Sequence, residues 1–147
     1  MSRRVLRGFD PERFKELRKN GPVMGELARL SGVTTTTIYA WEKGTYTPQV
    51  DKLAAVMEVL GAPIEYVVRV PRDERYPGDW RVLLGVTQPK LASMAGIATS
   101  ILNKIERGEV TLSKEKAVVL SQLVHASTEE YTAAWQRART RPAGAPV

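Results

Sequence analysis

Apolar residues recur three and four positions apart through most of the chain, in short runs broken by glycine or by Ser/Thr clusters, and little of it alternates as a half-buried strand would. The pattern predicts helices. Asp10 before Pro11 reads as an N-cap followed by proline at the first helical position, opening a helix that runs to about Lys19 and ends at Asn20-Gly21-Pro22. Met24–Leu30 is the second predicted helix, Gly32 the turn into a third over Thr35–Lys43, and Gly44 its stop. A fourth, Val50–Leu60, offers Leu53, Val56, Met57 and Leu60 for burial, and Ile64–Val68 forms a closing turn. The same order is predicted again as Asp79–Leu84, Gln88–Met94, Thr99–Arg107, Lys114–Val124 and a last helix from Ser127, where Ser127 and Glu130 have capping-box spacing. Trp41 and Trp80 fall on apolar positions and are assigned to cores.

The repetition extends to residue identity. Shifting the chain against itself by 64 residues aligns Val23–Pro48 with Thr87–Leu112 without a gap, and seven of 26 positions are identical. They are Leu27/Leu91, Ala28/Ala92, Gly32/Gly96, Thr35/Thr99, Glu42/Glu106, Gly44/Gly108 and Thr47/Thr111, where unrelated sequences give roughly one or two. The first helices align poorly, with Phe14 and Leu17 against Trp80, Leu83 and Leu84. The expected organisation is a basic arm over 1–9, a first helical domain over 10–70, a polar linker over 71–78, a second domain over 79–136, and a disordered basic tail over 137–147.

Composition then narrows the chemistry. The 147 residues contain no cysteine and a single histidine, His125, which removes disulfides, Cys–His dyads and the usual zinc sites. His125 stands alone at a helix end and reads as a C-terminal cap or surface residue. No Ser–His–Asp set, phosphate-cradling glycine loop or carboxylate cluster stands out, so no enzyme, metal or cofactor is expected. The net charge of +6 points to a polyanion and is shared evenly, net +3 in each half. It gathers at the ends, in Arg3, Arg4 and Arg7 before the first acid and in Arg137, Arg139 and Arg141 after the last. No apolar run approaches the ~18 residues of a membrane span, and Ser2–Arg7 lacks the hydrophobic stretch of a secretory signal. The expectation is a cytoplasmic, nucleoid-associated protein with no membrane partner.

A short helix, a glycine turn and a second short helix form a helix-turn-helix, whose second helix fits the major groove. The run from Thr87-Gln-Pro-Lys-Leu-Ala through Gly96-Ile-Ala-Thr-Ser-Ile-Leu-Asn-Lys-Ile-Glu-Arg-Gly108 closely resembles the Cro/repressor-like family, also called the xenobiotic-response-element family. Glu26-Leu-Ala-Arg-Leu-Ser-Gly-Val through Ile38-Tyr-Ala-Trp-Glu-Lys-Gly44, with Thr47-Pro48, is similar to it as well. The resemblance implies an all-α chain of two tandem lambda-repressor-like five-helix domains that bind double-stranded DNA without cofactors.

Carried over by position, the resemblance makes Thr35, Thr36, Thr37, Tyr39 and Ala40 the groove-facing residues of the first domain, with Thr34 and Lys43 near phosphates. In the second they are Thr99, Ser100, Asn103 and Lys104, with Gln88 and Arg107 toward the backbone. Asn103 suits adenine and Lys104 guanine. Arg3, Arg4 and Arg7 are candidate phosphate or minor-groove contacts. The second domain departs from the family pattern at Ala98, where a capping Ser or Thr is usual, and at Ile101, where a polar groove residue is common; the first departs at Met24, where Gln is usual.

Two readings follow. In one the chain is a transcriptional regulator, a repressor by the resemblance, reading an asymmetric site as a monomer with two unlike helices. The ten residues from Arg69 to Asp79, fully extended, would span at most ~33–36 Å, about the spacing of half-sites one helical turn apart. In the other, one domain binds DNA, and the second is a dimerisation or partner module of the antitoxin or anti-repressor-target kind. There Tyr131 and Trp135 on the last helix meet the protein partner.

Overall fold

In the computed structural model, residues 5–147 are described, and the chain divides into two compact units between Arg69 and Val70. Arg3 and Arg4 lie outside the described residues. Among those residues the structure is helical apart from an isolated antiparallel bridge between Phe9 and Val68.

The first unit holds α1 (Pro11–Lys19), α2 (Met24–Ser31), α3 (Thr35–Glu42) and α4 (Val50–Leu60), closed by a 3-10 turn at Ile64–Tyr66. Asp10 caps α1 by accepting from the Arg13 N–H at 3.1 Å, with Pro11 at the first helical position. Gly32, at a φ of 75°, ends α2 in the left-handed conformation and turns the chain into α3. Phe14, Leu27, Ile38, Leu53 and Val56 are fully buried, and Phe14 meets Trp41 edge-on with ring centroids 5.6 Å apart. Each such large apolar side chain stabilises the unit by roughly 1.5–3 kcal/mol. The expected N-terminal arm is partly tied down. The Leu6 N–H donates to Thr47 Oγ1 at 2.8 Å, Arg69 N–H to Gly8 O at 2.9 Å and Asp10 N–H to Val67 O at 2.8 Å.

The second unit holds α5 (Pro77–Leu83), α6 (Gln88–Ala95), α7 (Thr99–Glu106), α8 (Lys114–Leu123) and α9 (Thr128–Thr140). Its core gathers Trp80, Leu91, Leu102, Ile105, Leu120, Val124, Tyr131 and Ala134. The capping box at α9 forms, Ser127 N–H to Glu130 Oε1 at 3.1 Å and Glu130 N–H to Ser127 Oγ at 3.0 Å.

Two segments differ from their sequence reading. Residues 71–78 hold a 3-10 turn, Arg72–Glu74, and the start of α5, and they belong to the second unit. Arg72 pairs with Glu130 at 2.8 Å, Arg75 Nε donates to Val70 O at 2.9 Å, and Arg137 Nε donates to Arg75 O at 2.9 Å. Arg72 and Arg75 also lie over the Trp80 ring, 4.9 and 4.4 Å from its centroid. An extended tether of ten residues is therefore not the state of this segment, and the reach computed from its length does not apply. The basic tail is likewise helical to Thr140, because Tyr131, Ala134 and Ala138 are buried at helical spacing on one face of α9.

Candidate nucleic-acid interface

In α3 the helical period separates two faces. Ile38 and Trp41 point inward, while Thr36, Tyr39, Ala40 and Lys43, at i, i+3, i+4 and i+7, form the outward stripe. Thr36, Tyr39 and Lys43 are exposed; Thr35, Thr37 and Ala40 are half-buried. Thr36, Tyr39, Ala40 and Lys43 share a shallow depression with Thr45. Thr34 caps α3, its hydroxyl oxygen accepting from the Thr37 N–H at 3.3 Å and lying 2.9 Å from Thr37 Oγ1.

The second unit repeats the layout on α7. Leu102, Ile105 and Glu106 are buried, and Ser100, Asn103, Lys104 and Arg107 fall on the outward stripe. Thr99, Ser100, Lys104 and Arg107 are exposed, and Asn103 is half-buried. Ala98 leaves the start of α7 without a side-chain cap. Ile101 packs against the core, so it presents no polar group to a groove.

Both stripes are fixed by the same buried ion pair. Arg18 on α1 forks onto Glu42 at the end of α3, with both hydrogen bonds at 2.6 Å, and Arg81 on α5 forks onto Glu106 at 2.8 and 3.1 Å. The carboxylates are almost fully enclosed, with side chains 3% and 6% exposed, so each needs its arginine to offset the loss of water. The hydrogen bond from Arg18 to Glu42 holds its guanidinium above the ordinary arginine range. Arg18 also lies 5.8 Å from the Tyr39 ring centroid, which links the buried pair to the outward stripe.

In the second unit the pair extends to the surface. Gln88 Nε2 donates to Glu106 Oε1 at 2.8 Å, and Asn103 Nδ2 donates to Gln88 Oε1 at 3.3 Å. Gln88, expected to face a phosphate, thus also orients the Asn103 amide, leaving Asn103 Oδ1 and its second N–H available, the pair that a bidentate adenine contact requires.

The remaining sequence assignments fall as follows. Tyr131 is wholly buried, and burial pushes its phenol well above the ordinary tyrosine value. It cannot meet a partner. The apolar stripe that suggested a docking face is instead the core-facing side of α9. Trp135 is half-buried and donates from Nε1 to Val110 O at 3.0 Å, so it braces the loop after α7. His125 is exposed and adopts a φ of 59° at the turn into α9. Arg7 is half-buried, next to the Leu6 bond to Thr47.

Sequence reasoning paired Glu42 with Glu106 but missed Arg18 and Arg81. Their offset is 63 residues, one less than that of the motif, because Arg81 stands two residues before the end of α5 and Arg18 one before the end of α1. It also left Arg139 and Arg141 in a tail, although both hydrogen-bond to residues at the end of α7. Among the described residues no group of three His, Asp or Glu could hold a metal ion, and no helix is long and apolar enough to cross a membrane.

A family model described as helix-turn-helix matches residues 24–67 and again 79–130. Over 59 residues the chain is 42% identical to a Haemophilus influenzae protein described as an uncharacterized HTH-type transcriptional regulator. That match takes 39% of this chain and 24% of the relative, so it spans about a quarter of the relative's length. No solved structure matches.

Proposed function

This chain belongs to the helix-turn-helix family of the xenobiotic-response-element type, twice over, and on that footing we propose that it is a transcriptional regulator that reads an asymmetric double-stranded DNA site with α3 and α7. The observation that carries the proposal is a frame built twice and dressed differently. Arg18–Glu42 and Arg81–Glu106 lock the two helices alike, while the outward residues Thr36, Tyr39, Ala40 and Lys43 have Ser100, Asn103, Lys104 and Arg107 as their counterparts. Equal frames with unequal readers fit unequal half-sites.

In this reading, Thr36 and Thr35 offer hydroxyl and methyl groups to base edges, and the depression beside Tyr39 and Ala40 accommodates a thymine methyl. Asn103, oriented by Gln88, pairs with adenine, and Lys104 donates to guanine. Lys43 and Arg107 take phosphates, as do the arginines of the N-terminal segment, and these contacts set affinity rather than sequence. Repression follows from the resemblance, by occupation of a promoter, and the chain acts as a binding protein rather than an enzyme.

Selection from a random duplex pool, with light scattering of the winning complex, tests the proposal. A non-palindromic site held by one chain is expected; a palindrome held by two would overturn the asymmetric reading, and no enrichment would overturn sequence-specific regulation. The uncapped start of α7 at Ala98 favours a second reading, in which the second unit serves a protein partner.

A further inference from the structure

The C-terminal half of α9 grips the loop that leaves α7, and among the described residues its arginines there make carbonyl bonds rather than ion pairs. Arg141 Nη1 donates to Arg107 O, Arg139 Nη1 donates to Gly108 O at 3.1 Å, and Trp135 Nε1 donates to Val110 O at 3.0 Å. Three carbonyls within four successive residues are thus taken by one helix. The Arg139 guanidinium also lies over the Trp135 ring, 5.5 Å from its centroid.

Five arginines pair with carboxylates, Arg18 with Glu42, Arg29 with Glu26, Arg72 with Glu130, Arg81 with Glu106, and Arg107 with Glu109, while Arg13 and Arg137 donate to backbone carbonyls within their own units. Among the described residues, Arg139 and Arg141 bond only to carbonyl oxygens. A carbonyl fixes a guanidinium in place without cancelling its charge. Each arginine has five N–H donors, of which Arg139 spends one and Arg141 three, so both keep donors for an anion.

The position of these charges names the anion. α7 has eight residues and is therefore about 12 Å long, close to the width of the major groove. A guanidinium bonded to the carbonyls at its C-terminal end consequently lies within a side chain's length of the phosphates that border the groove α7 enters. We propose that Arg139 and Arg141 form a fixed phosphate clamp on the duplex beside the bases read by α7. The inference rests on α7 being a DNA-reading helix and adds an element, α9, to the contact surface.

Binding to a mixed-sequence duplex of roughly 30 base pairs, measured across salt concentrations, tests it without requiring the preferred site. Each phosphate contact contributes about 0.9 to the slope of log affinity against log salt. Arg139→Gln/Arg141→Gln should therefore flatten the slope by about 2, and Arg139→Lys/Arg141→Lys should retain most of it. Arg139→Gln alone keeps an amide donor for Gly108 O and carries the test, with a loss of about 1, should thermal unfolding show that the double variant has lost the second unit. Weaker binding with an unchanged slope would overturn the clamp and leave the two arginines as braces. A parent chain with no salt-dependent duplex binding would instead bring down the DNA reading itself, which separates the two failures.

Discussion

Gly44 and Gly108 occupy the same place after the two outward helices, at φ 73° and 71°, yet a methyl group added to each meets different surroundings. At Gly44 it finds nothing within 4 Å; at Gly108 it falls 2.4 Å from Arg139 N and 2.6 Å from Arg139 Cα. Gly44→Ala therefore carries only left-handed strain, a loss of about 1–2 kcal/mol. Gly108→Ala adds a backbone collision that only displacement of α9 relieves, and about 3 kcal/mol or more should be lost. Urea denaturation followed by tryptophan fluorescence checks both, and equal losses would contradict the close docking of α9. The need for glycine at either position was legible in the sequence from the repeat. The second demand on Gly108 was not, since it comes from a helix more than 20 residues further on that the first unit lacks.

Helix starts show the same division between what a sequence displays and what packing adds. Thr34, Thr87, Ser113 and Ser127 all accept a capping bond, each a local pattern of side chain and backbone separated by three residues. Ala98 holds the extended backbone of an N-cap, φ −68° and ψ 144°, without an oxygen to offer. Ala98→Ser should therefore stabilise the second unit by about 1 kcal/mol, read as a raised denaturation midpoint, with no change expected in the first unit. Most helix boundaries could be read to within a residue or two for this reason. The start of α5 is the furthest out, placed at Asp79 but lying at Pro77, because Asp79 sits inside the first turn and accepts from the Tyr76 N–H at 2.8 Å. Segments 71–78 and 137–140 were misjudged by composition, which counts arginines and prolines as solvated. Their order comes from Arg72–Glu130, from Arg137 on Arg75 O, and from Ala138 in the core, all long-range contacts.

At the scale of the whole chain, charge does not tell the two units apart, since each carries net +3. What distinguishes them is the residue set on each outward stripe, and Lys104 is the most decisive member because its base role and its charge can be altered together. If α7 reads DNA, Lys104→Glu places a carboxylate against guanine and the neighbouring phosphates. Affinity for the selected site should then fall at least tenfold, about 1.4 kcal/mol, with the salt slope shallower by about one contact. The base preference in the half read by α3 should survive, because Thr36 and Tyr39 belong to a unit with its own core and its own Arg18–Glu42 lock. Thr36→Val should do the converse, relaxing the α3 half and leaving the α7 half intact. If instead the second unit serves a partner, Lys104→Glu leaves affinity and slope unchanged while Thr36→Val still acts. The pair of variants measured on one duplex therefore decides whether this chain has two readers or one.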